Sequence, residues 1–299
     1  MTKTNNYLII DWGTTNFRAF LMNDKDSLID STQQNKGLLS VQDNQFAETL
    51  HSILSDWLNE FEHLPIYMAG MVGSLNGWVS LDYVETPAAP ALIQQLSYQF
   101  ITDWGAAACI FPGVKHVKDR TQADVMRGEE LQVFGLAKLK LASNFIAILP
   151  GTHSKHISFE QDKIKSVKTF MTGELFSIIT QHSLLGKNLP KQKASDAVFR
   201  QGVEQSQSGQ LTNLLFLART HLLFDNIADM HIEEFISGLL IGYELKGLTQ
   251  SQITIVGGKG LCQRYLLACN LLGIAADYAN GDDCFMAGMV QLINLKSGQ

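Results

Sequence analysis

Short apolar runs that end at glycine-containing turns dominate the start of the chain. Tyr7 to Ile10 is a continuous apolar run that leads into residues 11–15, and Phe17 to Met22 resumes the pattern. This arrangement predicts a buried strand, a tight turn and a return strand, which a third strand at Leu28 to Thr32 would extend to a meander. Apolar residues then recur with a helical period across residues 46–61, so we expect a helix to pack on this sheet.

The second half of the chain repeats this opening pattern. The apolar run Phe145 to Leu149 again leads into a Gly-Thr turn, and residues 156–159 and 164–170 supply two further short strand candidates. Two such meanders, each followed by helices and more strands, predict an α/β protein with two lobes of similar topology.

The boundary between the two lobes is placed near residue 127. Residues 128–141 have a helical pattern that would connect the lobes, and no low-complexity linker separates the two halves. The N-terminal lobe would then comprise residues 1–127 and the C-terminal lobe residues 128–299.

Composition and charge narrow the classes of partner. Of the 299 residues, 45% are apolar and 17% are charged, and the formal net charge is −6. This balance predicts a compact globular protein and argues against wide nucleic-acid or anionic-membrane surfaces, which need clustered Lys and Arg. We therefore expect a small-molecule ligand, and a homodimer is left open.

The cysteines and the N-terminus indicate a compartment. The four cysteines form no C-x-x-C pair, which is typical of reduced intracellular thiols. The N-terminal apolar run is too short for a signal peptide or a membrane span. We therefore expect a cytoplasmic protein.

The first Gly-Thr turn, Gly13, Thr14 and Thr15, has the groups that a phosphate needs. Such a turn offers exposed backbone N–H groups and hydroxyl donors without a bulky side chain to block approach. Asp11, at the end of the preceding strand, is suited to hold Mg²⁺ through water. The alternative is an ordinary hairpin turn, because Asp, Gly and Thr all favour turns.

The second Gly-Thr turn, Gly151 and Thr152, strengthens the phosphate interpretation. His153, Ser154 and Lys155 follow it directly and add donors and a cation. Two such turns facing each other would clamp one polyphosphate, and the lobes would close around it.

Asp124 is a candidate general base. It precedes the predicted helix at residue 128, where a carboxylate could accept a hydroxyl proton as the hydroxyl attacks a γ-phosphate. The alternative is a helix N-cap, with Glu129 and Glu130 placed favourably for the helix dipole.

Two further glycine-rich loops follow predicted strands. Gly257 and Gly258 would let a flat ring approach the backbone, or they form a plain loop before a helix; neither a P-loop nor a dinucleotide fingerprint occurs in the chain. The loop from Gly70 to Trp78, which includes Gly73 and Ser74, is either a substrate loop or a structural turn.

In this order, the motifs resemble the 2-dehydro-3-deoxygalactonokinase family of the sugar kinase/Hsp70/actin superfamily over nearly the whole chain. They are D-W-G-T-T-N-F-R-A at residues 11–19, G-M-V-G-S at 70–74, D-V-M-R-G-E-E at 124–130, L-P-G-T-H-S-K at 149–155 and T-F-M-T-G-E-L-F at 169–176.

The resemblance implies two lobes of ribonuclease H-like topology with an interdomain ATP cleft. It also implies phosphorylation of 2-dehydro-3-deoxy-D-galactonate at its C6 hydroxyl with ATP and Mg²⁺, a step of galactonate catabolism. By motif, residues 11 and 13–15 would form the first phosphate element, Gly151 and Thr152 the second, and Gly257 and Gly258 the adenosine loop. Asp124 occupies the place of the base in related sugar kinases.

The implied substrate carries a carboxylate, which charge-assisted donors would bind. The candidate substrate residues are Gly73, Ser74, Arg18, Arg127, His153 and Lys155. Arg18 and Lys155 are equally candidates for phosphate binding.

Two rival functions fit the same fold. One is a phosphatase or nucleotide hydrolase, and the other is a nucleotide-gated interaction protein of the actin or chaperone type. Sugar-acid-dependent ADP formation separates the kinase from both.

Overall fold

A computed structural model describes residues 6–248 and 252–297 of the chain. Its strands, in chain order, are β1 (Tyr7–Trp12), β2 (Phe17–Met22), β3 (Leu28–Gln34), β4 (Ile66–Gly70), β5 (Val84–Glu85), β6 (Tyr98–Ile101), β7 (Ala107–Ile110), β8 (Val114–Asp119), β9 (Gln122–Met126), β10 (Asn144–Leu149), β11 (Ser154–Glu160), β12 (Lys163–Phe170), β13 (Ile253–Gly257) and β14 (Ala276–Asn280). Its α-helices are α1 (Phe46–Trp57), α2 (Pro90–Gln95), α3 (Glu129–Lys140), α4 (Thr172–His182), α5 (Asp196–Gln205), α6 (Leu211–Leu223), α7 (Ile232–Leu245), α8 (Lys259–Leu271) and α9 (Gly281–Ser297).

Two mixed sheets correspond over five strands, and the first sheet has β6 as an additional edge strand. The first sheet runs β3-β2-β1-β4-β7-β6, and the second runs β12-β11-β10-β13-β14. In each, a three-stranded meander is continued by later strands, and β4 lies parallel to β1 as β13 lies parallel to β10. The predicted duplication of an α/β topology is therefore confirmed.

Burial explains why the predicted strands form. β1 is apolar on both faces, and Leu8, Ile10 and Trp12 are fully buried in a core that includes one face of α1. Strands that lie in the middle of a sheet and are covered on both faces read as continuous apolar runs, which is the pattern that the sequence shows. A matching core in the second half joins β10 and β13 to α5, α7 and α8.

Two regions of the first half differ from the expectation. The sequence from Ala89 to Phe100 predicts a single helix. This prediction is wrong in its second half, because α2 ends at Gln95 and residues 98–101 form the edge strand β6. Residues 84–126 also contain a small third sheet of order β5-β8-β9. Its polar and exposed strands lack the apolar alternation that marks a strand in the sequence.

The chain divides into two compact units. The first comprises Met1–Asn144, Ser158–Val167 and Asp282–Gln299, and the second comprises Phe145–Ile157 and Lys168–Gly281. In the first unit, α9 packs on the N-terminal sheet, where the rings of Phe285 and Phe20 lie 6.1 Å apart. The functional lobes 1–127 and 128–299 stay a prediction.

No helix within residues 6–248 and 252–297 has both the length and the apolar character of a membrane span.

Candidate functional site

The first Gly-Thr turn lies between β1 and β2. The Gly13 N–H donates to the carbonyl of Asn16 (2.9 Å), and the carbonyls of residues 13–15 accept hydrogen bonds from the N–H groups of residues 37–39. Among the described residues, the N–H groups of Thr14 and Thr15 donate to no backbone carbonyl, and both residues are exposed. The turn therefore presents two N–H groups and two hydroxyls to a ligand.

Gly37 holds this turn in place from behind. A Cβ atom at this position would lie 2.3 Å from the carbonyl carbon of Thr15. No side chain fits at that distance, so residue 37 has to be glycine for the two backbones to touch. Gly37 lies outside every motif of the sequence, so only the fold identifies its role.

Asp11 and Asp282 share the guanidinium of Arg18. Arg18 Nη2 donates to Asp11 Oδ2, and Arg18 Nη1 donates to Asp282 Oδ1. The Asp11 side chain is 16% exposed, whereas that of Asp282 is 45% exposed. Arg18 thus binds two carboxylates. Asp282 lies in the first turn of α9 and was not predicted as a site residue from the sequence.

Two glycines lie beside the other carboxylate oxygen of Asp11. A Cβ atom at Gly70 would lie 2.9 Å from Asp11 Oδ1, and one at Gly128 would lie 3.6 Å from it. Both glycines have positive φ angles, of 90° and 110° respectively. A larger residue at position 70 would crowd this oxygen, so glycine there lets the backbone lie directly beside the Asp11 carboxylate.

Two glutamates fix the backbone at Gly128. The Arg127 N–H donates to Glu129 Oε2 (2.9 Å), and the Gly128 N–H donates to both carboxyl oxygens of Glu130 (2.9 Å). Glu130 is fully buried. Burial, followed by the nearby charge of Glu129, raises the pKa of Glu130 to about 8 against the smaller opposing effects of the Gly128 N–H and Arg127.

Asp124 does not open α3. It lies within β9 opposite His116, half-exposed, and its carboxylate accepts a hydrogen bond from the Val125 N–H (2.8 Å). The N-cap of α3 is Gly128, with no side-chain cap. Both the expected position at the mouth of a helix and the N-cap alternative are therefore wrong, because β9 extends to Met126.

The loop after β4 brings Gly73 and Ser74 to Arg127. A Cβ atom at Gly73 would lie 3.0 Å from Arg127 Nη1. Ser74 and Arg127 are 7% and 9% exposed. These three predicted substrate residues therefore lie together within the first unit.

The second Gly-Thr turn lies between β10 and β11 in the second unit. A Cβ atom at Gly173 would lie 2.4 Å from the Gly151 carbonyl oxygen, so α4 begins directly against the turn. The Glu174 N–H donates to the Thr152 carbonyl (2.9 Å), and His153 Nε2 lies 2.7 Å from Glu174 Oε2. Thr152 and His153 are exposed.

Lys155 points into the second unit. It is 7% exposed, and its Nζ donates to Thr169 Oγ1 (2.8 Å). Lys155 and His153 therefore lie at the same turn, but Lys155 is buried and His153 is exposed.

A buried carboxylate supports the second turn. Glu244 on α7 is 4% exposed and accepts hydrogen bonds from Ser154 Oγ (2.7 Å), the Thr172 hydroxyl and the Tyr265 hydroxyl (2.7 Å). His156 Nε2 lies 2.8 Å from its Oε1 atom. Four side chains from β11, α4 and α8 thus meet at one carboxylate, which sequence reasoning missed because only the fold brings them together.

Gly257 and Gly258 join β13 to α8. Gly257 has a φ angle of 149°, and its carbonyl accepts a hydrogen bond from the Tyr278 hydroxyl (3.1 Å). A Cβ atom at Gly258 would meet no described atom within 4 Å, so the backbone there is open to a ligand.

A cavity of about 310 Å³ lies within the second unit. Its walls include Gly151, Gly173, Leu240, Leu261, Arg264 and Tyr265. Arg264 lies over the ring of Phe199 (4.4 Å) and makes two hydrogen bonds to the carboxylate of Glu234 (2.8 and 3.2 Å). The cavity therefore runs from the second turn to the first turns of α8.

We expect Glu130 to make stability depend on pH. Its pKa is raised from 4.5 to about 8 in the folded protein, so between these values the folded chain holds a proton that the unfolded chain has released. The free energy of unfolding should therefore fall as pH rises through this window, by up to about 1.4 kcal/mol per pH unit. Glu130→Gln should flatten this slope.

Urea unfolding at several pH values from 5 to 8.5 measures the slope. Glu48→Gln, at an exposed position on α1, is the matched control and should keep the wild-type slope. Equal slopes for Glu130→Gln and the wild type would contradict the assignment.

Glu244→Gln should destabilise the second unit. A glutamine amide turns one acceptor oxygen into a donor, which leaves a buried hydroxyl or imidazole poorly paired at a cost of about 1–3 kcal/mol. Urea unfolding measures this loss, and Glu204→Gln on the exposed face of α5 should change stability by no more than about 0.5 kcal/mol. Equal stability of the two variants would count against the network.

Comparison with known proteins indicates the same family as the sequence motifs. Residues 11–292 match the family model described as 2-keto-3-deoxy-galactonokinase. The 2-dehydro-3-deoxygalactonokinase of Escherichia coli (strain K12) is 34% identical over 292 residues, which cover 96% of this chain and 97% of the relative. A relative from Rhizobium meliloti (strain 1021) is 32% identical over 302 residues, covering 97% of each chain.

Solved structures agree on the fold. A crystal structure from Sinorhizobium meliloti, assigned to the same kinase activity, has a TM-score of 0.88 at 32% identity and covers 96% of both chains. The activator of the 2-hydroxyisocaproyl-CoA dehydratase from Clostridium difficile, with bound ADPNP, has a TM-score of 0.51 at 10% identity over 98% of this chain and 97% of that one. The predicted actin-type fold class is confirmed, and the chain belongs to the 2-keto-3-deoxy-galactonokinase family.

Proposed function

We propose that the protein transfers the γ-phosphoryl group of ATP to the C6 hydroxyl of 2-dehydro-3-deoxy-D-galactonate, which yields the 6-phosphate and ADP. The observation that carries this proposal is the family match over residues 11–292, together with 34% identity to the Escherichia coli kinase over nearly the full chain. The position of the hydroxyl, the metal and the roles of individual residues are part of the proposal.

The two Gly-Thr turns supply the phosphate ligands in this proposal. Thr14 and Thr15 are exposed on a turn whose carbonyls are engaged with residues 37–39, so their N–H groups are available to an anion. Gly151 and Thr152 form the corresponding turn of the second unit. The adenosine would bind near Gly258 and in the cavity beside Gly151, where Leu261 offers an apolar surface.

Mg²⁺ fits the first turn. It prefers oxygen ligands and is usually held by one or two carboxylates, with waters and substrate phosphates completing the shell. Asp11 has one carboxylate oxygen beside the backbone of Gly70 and Gly128, and Asp282 accepts a hydrogen bond from Arg18, which also binds Asp11. No cluster of three or more potential metal-ligating His, Cys, Asp or Glu residues occurs in the described ranges 6–248 and 252–297. When bound, Mg²⁺ would offset the charge on the transferred phosphoryl group.

Asp124 is the proposed general base. Its carboxylate is half-exposed on β9, three residues before Arg127, and could accept the proton of the attacking hydroxyl. The cytoplasmic location and a homodimer stay predictions.

ADP release with a panel of acceptors tests the function. 2-Dehydro-3-deoxy-D-galactonate should give stoichiometric ADP and a 6-phosphorylated product by mass spectrometry and ³¹P NMR, whereas glucose and galactose should give little. ADP formation at the same rate without an acceptor would indicate a hydrolase. An absence of ADP with every sugar acid would exclude the kinase proposal.

Asp11→Asn should lower kcat by two or more orders of magnitude at saturating Mg²⁺, because the variant loses the carboxylate that positions the metal. The thermal midpoint should stay near that of Asp24→Asn, a control at an exposed turn between β2 and β3. A wild-type kcat for Asp11→Asn would contradict the role.

Asp124→Asn should lower kcat by roughly 10² to 10⁴ while the KM for ATP stays close to that of the wild type. Steady-state kinetics with each substrate varied separately measures both values. Loss of thermal stability with an unchanged kcat would instead identify Asp124 as a structural residue of the small sheet.

A further inference from the structure

We propose that Arg127 and Ser74 form the subsite that binds the carboxylate of the acid substrate. This inference rests on the proposed function, since it names the part of the sugar acid that the first unit recognises.

Arg127 is a buried cation, and some of its donor groups have no hydrogen-bond partner among the described residues. Its Nη2 donates to the Leu81 carbonyl (3.0 Å), and its guanidinium lies over the ring of Tyr83 at 4.2 Å. Its Nε and Nη1 atoms are buried and have no hydrogen-bond partner in the part of the chain that the structure describes. A buried charged donor without a partner is costly, so such an arrangement indicates a place for an anion.

Ser74 has a hydroxyl that is buried in the same way. Its Oγ is buried and likewise without a hydrogen-bond partner among residues 6–248 and 252–297. The loop that carries it touches the arginine, because a Cβ atom at Gly73 would lie 3.0 Å from Arg127 Nη1. Glycine at position 73 thus lets the loop and the guanidinium approach closely. Two chain segments that touch each other therefore each carry a buried donor without a partner.

The other candidate cations are already engaged. Arg18 binds the carboxylates of Asp11 and Asp282, and Lys155 donates to Thr169 in the second unit. The buried carboxyl nearest in sequence to Arg127, that of Glu130, accepts from the Gly128 N–H. Neither of its carboxyl oxygens accepts from Arg127 Nε or Nη1, because those two atoms have no hydrogen-bond partner among the described residues.

A carboxylate is the ligand that suits these donors. It accepts hydrogen bonds at both oxygens, and charge-assisted bonds from a guanidinium are among the strongest in proteins.

The test compares acid with neutral acceptors in matched variants. Arg127→Met and Arg127→Lys are assayed for kcat/KM with 2-dehydro-3-deoxy-D-galactonate and with galactose, and for the KM of ATP. Arg120→Met, at the exposed turn between β8 and β9, is the control. For Arg127→Met we expect kcat/KM with the acid to fall roughly 30-fold to several thousand-fold, and the preference for acid over galactose to fall with it. Arg127→Lys should recover only part of this loss, and the KM for ATP should change by less than about threefold.

Several outcomes overturn the inference. An unchanged acid preference in Arg127→Met would do so, and so would a loss confined to the KM for ATP, which would assign Arg127 to the nucleotide. If the Arg127 variants do not fold, Ser74→Ala decides: we expect its KM for the acid to rise about tenfold, and an unchanged KM contradicts the subsite.

Direct binding separates this inference from the proposed function. Calorimetry with D-galactonate and with galactitol needs no turnover. D-galactonate should bind the wild type and lose its affinity in Arg127→Met, while galactitol should bind weakly to both. If the wild type binds D-galactonate through Arg127 but phosphorylates no acid, the proposed function fails and the subsite stands. If the wild type phosphorylates the acid and Arg127→Met binds D-galactonate normally, the subsite fails and the function stands.

Discussion

Backbone packed against backbone is the constraint on which the candidate site depends. Each Gly-Thr turn is held from behind by a distant glycine, Gly37 for the first turn and Gly173 for the second, at distances that no Cβ atom could occupy. Because the turn carbonyls point to these supports, the opposite face of the backbone is left for a ligand. In the proposed function, phosphate recognition at these turns would rely on main-chain shape, and the rigid support would preorganise that shape before the nucleotide binds.

Two buried ionisable side chains, Glu244 and Arg127, differ in how completely they are hydrogen-bonded. Glu244 is surrounded by four hydrogen-bonding side chains, so its charge is compensated within the second unit. Arg127 lies in the first unit with two nitrogens that no described group accepts. The first arrangement is typical of a structural carboxylate, while the second leaves electrostatic free energy to be recovered by a ligand.

Local patterns predicted the meanders, the duplicated topology and both Gly-Thr turns, because each depends on a few consecutive residues. The helical spacing of apolar residues predicts a helix from Ile232 to Leu245, and α7 has these bounds. The small sheet was not predicted because its strands are exposed and polar. Asp124 was therefore predicted to lie at the start of a helix, whereas it lies in the middle of β9. The sequence did not predict Asp282 and Glu244 as site residues either. Each reaches the residues around its turn only through contacts between segments that are far apart in the chain.

The position of Asp282 has a consequence for biosynthesis. The ribosome makes the chain from its N-terminus, so the strands of the first unit emerge long before α9, which completes that unit and brings Asp282 to Arg18 across 264 residues of sequence. Contacts between such distant segments form late and slow the search for the native state. A nascent chain can thus fold its first sheet early, yet Arg18 gains its second carboxylate only when translation reaches the last helix, so prematurely terminated products lack a complete acidic pair.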